Sequence, residues 1–157
     1  MQIRPAGASD LEALGPLFEE VDALHRERLP ARFRAPSGPA RPPGYLRAVV
    51  VGTGSAVLLA DDSGDALGLV HVALRDAPDL PVFVPRRFAV VDDLVVAARA
   101  RRRGIGRALL AGAEAWARRN GAAAIELTVY GCNDEAAAFY RALGYGILSH
   151  RLSRDLA

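Results

Sequence analysis

The residues of this chain able to do chemistry gather between Val90 and Leu110, in the stretch VVDDLVVAARARRRGIGRALL. An acidic pair, Asp92 and Asp93, interrupts an apolar run. Arg101, Arg102 and Arg103 then lead into Gly104-Ile105-Gly106, and Arg107-Ala108-Leu109-Leu110 continues with helical periodicity. A buried strand, a glycine-containing turn and a helix start leave several main-chain N–H groups unpaired at the positive end of a helix dipole. Such a turn binds anions, phosphate above all. The arginines add positive charge and bidentate donors.

The surrounding elements must hold this strand and turn in place. Met1 to Pro5 reads as an edge strand. Ser9-Asp10-Leu11-Glu12 has the form of a capping box, and Leu11, Leu14, Phe18 and Val21 recur at helical spacing, which predicts a helix from about Asp10 to Glu27 with a bend at Gly15-Pro16. His25 falls on the edge of its buried stripe and reads as a packing histidine. Leu29 to Pro43, rich in proline and arginine, is a long loop of the kind that walls or covers a binding site. Tyr45 to Val51 predicts a short second helix. Ser55–Ala60 and Ala66–Leu74 form a hairpin across Asp61 to Asp65, and His71 in its second strand faces a pocket or solvent. Asp76 to Arg86 is another irregular connection. After the glycine turn, Leu109, Ala113, Trp116 and Ala117 mark a helix ending at Asn120-Gly121. Ala124 to Tyr130 is a strand, Asn133 N-caps a further helix carrying Ala136, Phe139, Tyr140 and Leu143, and Tyr145 to Leu156 can supply one or two closing strands.

Composition narrows the function classes. A chain of 157 residues fits one domain, 1–157, with room for a proper core. No apolar run is long enough to span a membrane, and the first residues do not have the form of a signal peptide, so a cytoplasmic protein is expected. One cysteine, Cys132, excludes an internal disulfide and a thiolate metal cluster, and no metal site is expected. All 20 basic residues are arginine, so the chain has neither a P-loop lysine nor a Schiff-base lysine. A GC-rich genome is enough to produce such an arginine bias, which is therefore not evidence for nucleic-acid binding. Arg99 to Arg107 is not interleaved with aromatics, and no nucleic-acid partner is expected. A dinucleotide fingerprint fails at Leu109, where its third glycine belongs, although Glu126 lies at a suitable distance.

Arg101-Arg102-Arg103-Gly104-Ile105-Gly106 resembles the Q/R-x-x-G-x-G/A signature of the GNAT superfamily of acyl-CoA-dependent N-acetyltransferases. Asp93-Leu94-Val95-Val96 resembles the strand before that signature and Gly106 to Leu110 the helix after it. Asn133, Ala138-Phe139-Tyr140 and Leu143-Gly144-Tyr145 are similar to the N…A-x-x-F-Y-x-x-x-G-[FY] element of the same superfamily. The likeness is specific from Phe88 to Tyr145. Ala98 departs from the proline that many members carry. The resemblance implies an α+β fold: a mixed, mostly antiparallel sheet of 6–7 strands flanked by about four helices, with a splay between the fourth and fifth strands.

It also implies acetyl-CoA as co-substrate, with its pyrophosphate on the amides from about Arg102 to Ala108 and its pantetheine arm along Leu94, Val95 and Val96. Arg101, Arg102, Arg103, Gly104, Ile105, Gly106, Arg107, Ala108 and Asn133 belong to the implied cofactor site. Tyr140 matches the tyrosine that stands near the thioester sulfur and can protonate the departing thiolate. Direct transfer to a primary amine of a small molecule or peptide needs the amine neutral, which requires a base. Asp92 and Asp93 are the nearest carboxylates. In a regular strand Asp92 shares the face of Leu94 and Val96, whereas a bulge would favour Asp93. Hydrogen-bonded structural acids are the alternative for both, and core packing is the alternative for Tyr140. Cys132 has no neighbouring histidine to activate it, which argues against an acyl-cysteine intermediate. The acceptor side is expected from the first helix and the two irregular loops, where Glu19, Asp22 and His25 could meet a cationic substrate. A non-catalytic acyl-CoA sensor of the same fold is the competing reading, and a homodimer through the late strands is an analogy.

Overall fold

The computed structural model describes residues 1–156. Its elements run β1 (Gln2–Pro5), α1 (Leu11–Arg28), α2 (Pro43–Val51), β2 (Ser55–Asp62), β3 (Asp65–Asp76), β4 (Arg87–Val96), α3 (Ile105–Arg119), β5 (Ile125–Leu127) and α4 (Asp134–Ala142), with 3-10 turns at Ala8–Asp10 and Ala98–Ala100. The strands form one sheet in the order β1-β2-β3-β4-β5. Neighbours are antiparallel except β4 and β5, which run parallel from Ala89↔Ile125 to Val91↔Leu127 and do not pair beyond that point. The α+β class and the parting of the fourth and fifth strands agree with the sequence. The strand count does not: five strands form where 6–7 were expected, because Tyr145 to Leu156 joins no ladder among the described residues. Strand propensity alone does not make a strand without a neighbouring edge at hydrogen-bonding distance.

Turn chemistry fixes the first hairpin. Ser63 and Gly64 both take positive φ, 56° and 92°, which is the two-residue turn whose twist matches its strands, and the Asp61 carboxylate accepts from the Gly64 amide at 2.8 Å. The start of α1 differs from the capping box read in the sequence. Asp10, rather than Ser9 with Glu12, satisfies the entering chain, accepting from the Gly7 amide at 2.7 Å and from Arg4 at 2.8 and 2.9 Å. The Arg4 hydrogen bonds, helped by the Gly7 amide, hold the Asp10 carboxyl down at about 2. Arg4 also reaches Asp61 at 2.8 Å, tying β1 to the hairpin.

Beneath one face of the sheet, α3 buries Ile105, Leu109, Leu110, Ala113 and Ala117; α1 and α2 cover the other face with Leu14, Leu17, Phe18 and Leu46. The central strand β3 is buried continuously from Leu67 to Ala73, as a strand covered on both faces must be. Close packing here depends on Gly68. A Cβ at that position would lie 2.6 Å from the Val95 carbonyl oxygen and 3.2 Å from the Leu109 side chain. Gly68→Ala is therefore expected to cost about 1–3 kcal/mol by forcing β4 or α3 outward. Urea unfolding measures this, and an unchanged midpoint would show that the two elements can separate without strain.

Candidate active site

The register of β3 against β4 shifts between His71 and Val72. His71 faces Asp93 and Val72 faces Val91, which leaves Asp92 as the extra residue of a bulge. Strict alternation would send the two acids to opposite faces. The bulge turns both toward one imidazole, and His71 Nδ1 lies 3.8 Å from Asp92 and 3.7 Å from Asp93. The regular-strand preference for Asp92 does not hold in this geometry. Asp92 is half-exposed beside Arg75 at 3.6 Å, whereas the Asp93 side chain is only 10 % exposed.

A residue with no local sequence signal completes the cluster. Arg41, from the long loop, forms two bonds to Asp93 at 2.8 and 3.0 Å and two to Asp22 of α1, both at 3.0 Å. Its guanidinium carbon sits 4.2 Å from the Phe18 ring centre and 5.8 Å from that of Tyr45. Burial opposes its charge, but the bonds to the two carboxylates outweigh burial and raise its pKa. For Asp93, burial pushes upward, while His71 and Arg41 more than offset it and hold the carboxyl below its ordinary range. His71 Nδ1 is buried without a hydrogen-bond partner, an arrangement that leaves a nitrogen available beside two acids.

The second half of the site is the turn before α3. Gly104 caps the helix in the left-handed region at φ 79°, and Arg102 also has positive φ, 63°. The first helical bond runs from the Ala108 amide to the Gly104 carbonyl at 3.1 Å. Among the described residues, the amides of Gly104, Ile105, Gly106 and Arg107 have no main-chain acceptor, so they remain for a ligand or water. Arg102, Arg103 and Arg107 are exposed around them, while Arg101 folds back onto the Val96 carbonyl at 3.2 Å and Glu20 at 3.4 Å. Leu94, Val95 and Val96 run along β4 past its last pair with β5.

Helix α4 closes on the same turn. A Cβ on Gly106 would be 3.4 Å from the Phe139 ring and 3.7 Å from Val96, so α3, α4 and β4 meet there. Tyr140 packs between Phe139 and Tyr145 at ring distances of 5.1 and 5.7 Å, and burial pushes its phenol up to about 12. It thus keeps its proton at neutral pH, on the α4 side of the site and outside the acid cluster. Asn133 is the N-cap of α4, accepting from the Ala136 amide at 3.2 Å. His25 stacks on Phe33 at 5.0 Å and meets Tyr130 edge-on at 5.3 Å, in keeping with a packing role. Cys132 is exposed. A cleft of about 450 Å³ lies between α1 and residues 35–41, and it includes Arg41 and Glu19. Among the described residues no cluster of metal-ligating side chains forms, and no helix is long and apolar enough to cross a membrane.

A strand that parts from its neighbour beside a helix N-terminus with free amides is the arrangement the signature implies, and comparison with known proteins agrees. The model of the Acetyltransferase (GNAT) family matches residues 19–145.

The chain belongs to the GNAT acetyltransferase family.

Its relatives include YhfO of Bacillus subtilis, described as an uncharacterized N-acetyltransferase, which is 28% identical over 145 residues, or 92% of this chain and 89% of that protein. The solved structure of a mutant BH1408 protein from Bacillus halodurans superposes with a TM-score of 0.94 at 30% identity, covering 100% of both chains. The aminoglycoside N-acetyltransferase AAC(6')-Iy, solved in complex with CoA, shares the fold with a TM-score of 0.75 at 15% identity, covering 99% of each chain.

Within this GNAT protein, the Arg41 cluster should set stability on the acid side. Asp93 has its pKa lowered on folding, so its contribution is complete above the unfolded carboxylate value and is lost as pH falls through the folded one. Arg41→Met should cost about 2–4 kcal/mol near neutral pH by stranding two mostly buried acids. The difference from wild type should shrink in acid, which chemical unfolding across a pH series reads directly; a pH-independent loss would assign the cost to packing.

Proposed function

We propose that the protein transfers an acetyl group from acetyl-CoA directly to a primary amine of a small molecule or peptide that carries positive charge. The observation that carries this reading is the row of unbonded amides from Gly104 to Arg107 beside the open end of β4. These amides and the exposed arginines fit a diphosphate. The main chain of Leu94 to Val96 is available to the pantetheine arm beyond the last pair with β5, and in this reading Asn133, the N-cap of α4, contributes to the same cofactor site. Family membership and the N-acetyltransferase relatives support the same chemistry.

On the acceptor side, Asp22, Asp93, Phe18 and Tyr45 already hold a cation, the Arg41 guanidinium. An acceptor ammonium group has the charge to take its place. His71, with its free Nδ1 between Asp92 and Asp93, then receives the amine proton, and the acids stabilise the resulting imidazolium. The neutral nitrogen attacks the thioester carbon, the new C–N bond forms as the C–S bond breaks, and the Tyr140 hydroxyl supplies a proton to the departing thiolate. The nitrogen's second surplus proton restores the Tyr140 hydroxyl, while His71 releases the first to water. In this reading Asp93 acts through charge. Bound twice by Arg41, it is a weak base until the acceptor enters.

That restraint on Asp93 is also the observation favouring the second reading, an acyl-CoA-binding module without transfer activity. Thiol release from acetyl-CoA in the presence of amines, polyamines, amino acids and peptides separates the two. The transferase reading expects release with cationic amines, while binding without release for every acceptor supports the sensor. His71→Gln should lower kcat by about 100-fold or more with little change in acetyl-CoA affinity, and raised pH should recover part of the loss. Tyr140→Phe should lower kcat about 10-fold or more while leaving acetyl-CoA binding intact, since an equal loss in both would make the ring a packing element.

A further inference from the structure

Charge alone would admit any cation between Asp22 and Asp93, but the receptacle is shaped more narrowly than that. Arg41 presents two edges of its guanidinium plane to two carboxylates. Nε and Nη2 donate to the two oxygens of Asp22, each at 3.0 Å, while Nη1 and Nη2 donate to the two oxygens of Asp93 at 3.0 and 2.8 Å. The face of the group lies on Phe18, and Nη1 also reaches the Tyr45 hydroxyl at 3.5 Å. Every carboxylate oxygen thus takes one N–H of a flat fork. An ammonium, with three tetrahedral donors and no flat face, satisfies neither pair in this way. Receptacle and occupant also come from different kinds of structure. Phe18 and Asp22 stand on α1, Tyr45 on α2 and Asp93 on β4, so regular elements hold the receptacle. Arg41 alone comes from the irregular loop, and residues 34–40 before it make no main-chain hydrogen bond among the described residues. On the same Asp93 carboxylate, His71 Nδ1 is buried with no hydrogen-bond partner, its side chain only 9% exposed, at 3.7 Å from Asp93 and 3.8 Å from Asp92. An unpaired buried nitrogen at the edge of a cation site marks a place for a further polar group. Tyr45 is exposed on one side of the receptacle, and the cleft under residues 35–41 runs up to Arg41 on the other.

We propose that Arg41 is a built-in competitor for an acceptor carrying both a guanidinium and a primary amine, the guanidinium displacing that of Arg41 between Asp22 and Asp93 and the amine coming to His71. The acceptor class so named rests on the transfer proposed above for its chemistry, whereas its binding stands apart from that transfer. Exchange of one guanidinium for another keeps four charge-assisted bonds and the contact with Phe18, so α1 stays anchored while the loop is released. No charge enters or leaves the cluster. Because Arg41 is tethered, it competes at an effective concentration on the order of millimolar. The loop therefore stays down until such an acceptor is abundant.

Two probes of similar length and equal charge test the displacement: agmatine, with a guanidinium at one end and a primary amine at the other, and cadaverine, with two ammonium ends. Calorimetry without acetyl-CoA should show agmatine binding at least about tenfold tighter than cadaverine. Arg41→Gly should bind agmatine at least about tenfold tighter than the wild type, because the tethered competitor is gone. In the wild type, whose folding is not in question, the nuclear magnetic resonance signal of the Arg41 Nε–H, assigned by its loss in Arg41→Lys, should shift as agmatine saturates. Agmatine that does not bind, cadaverine that binds as well, an Arg41→Gly protein that binds no tighter, or an Arg41 signal unmoved at saturation would each overturn the proposal. Adding acetyl-CoA separates its failure from that of the transferase. Thiol release with other amines and no agmatine binding removes the guanidinium acceptor and leaves the transferase, whereas agmatine binding as expected with no thiol release keeps the receptacle and removes the transferase.

Discussion

Two carboxylates from facing elements, Asp22 on α1 and Asp93 on β4, are drawn into one place, and a single guanidinium answers both. At an effective dielectric near 20, two like charges a few ångströms apart repel by about 4 kcal/mol, in addition to the cost of removing each from water. The position of α1 against the sheet therefore depends on a cation being held between them, which Arg41 supplies. The loop that supplies Arg41 has no regular secondary structure, yet its far end is fixed by this contact and by Phe18 beneath it. Helix position, loop closure and the state of Asp93 are thus one coupled arrangement.

The two halves of the site are held in different ways. The turn before α3 is local: Gly104 supplies the left-handed residue, the next amides are left over by helix geometry, and Gly106 lets Phe139 approach. Its form follows from a few consecutive residues. The acid cluster is assembled over long separations, with Arg41 reaching 52 residues along the chain to Asp93 and 19 back to Asp22. The first half presents unbonded main-chain amides, and the second gathers side-chain carboxylates around a guanidinium. The transfer proposed above, from an anionic thioester carrier to a cationic acceptor, would use both.

This division explains what could be read without coordinates. The glycine turn, the N-cap at Asn133 and the Asn120-Gly121 helix end came from residues adjacent in sequence, and the structure places them as expected; the hairpin read across Asp61 to Asp65 forms as well, tightened to a two-residue turn at Ser63-Gly64. The bulge at Asp92 was open, because a register shift depends on how β3 and β4 pair and leaves no mark in either strand alone. His71 was visible only as a polar residue in an apolar alternation. Arg41 could not be singled out from the other arginines of a proline-rich loop. At α1 the Ser9 pattern lost to Asp10, which also gains Arg4, a partner from the first strand. The closing strands failed for a similar reason, since an isolated tail has propensity and no ladder.

The His25–Phe33–Tyr130 stack has a consequence for how such a protein can diversify. It clamps the beginning of the loop, and Phe33 meets Tyr130 edge-on at 5.8 Å, while Arg41 clamps the end. Between these two fastenings, residues 34–40 make no main-chain hydrogen bond among the described residues and lie over an open cleft. Insertions, deletions or wholesale replacement of that short span leave both anchor points and the sheet untouched. A lineage could therefore rewrite the wall of this cleft while inheriting the turn before α3 unaltered.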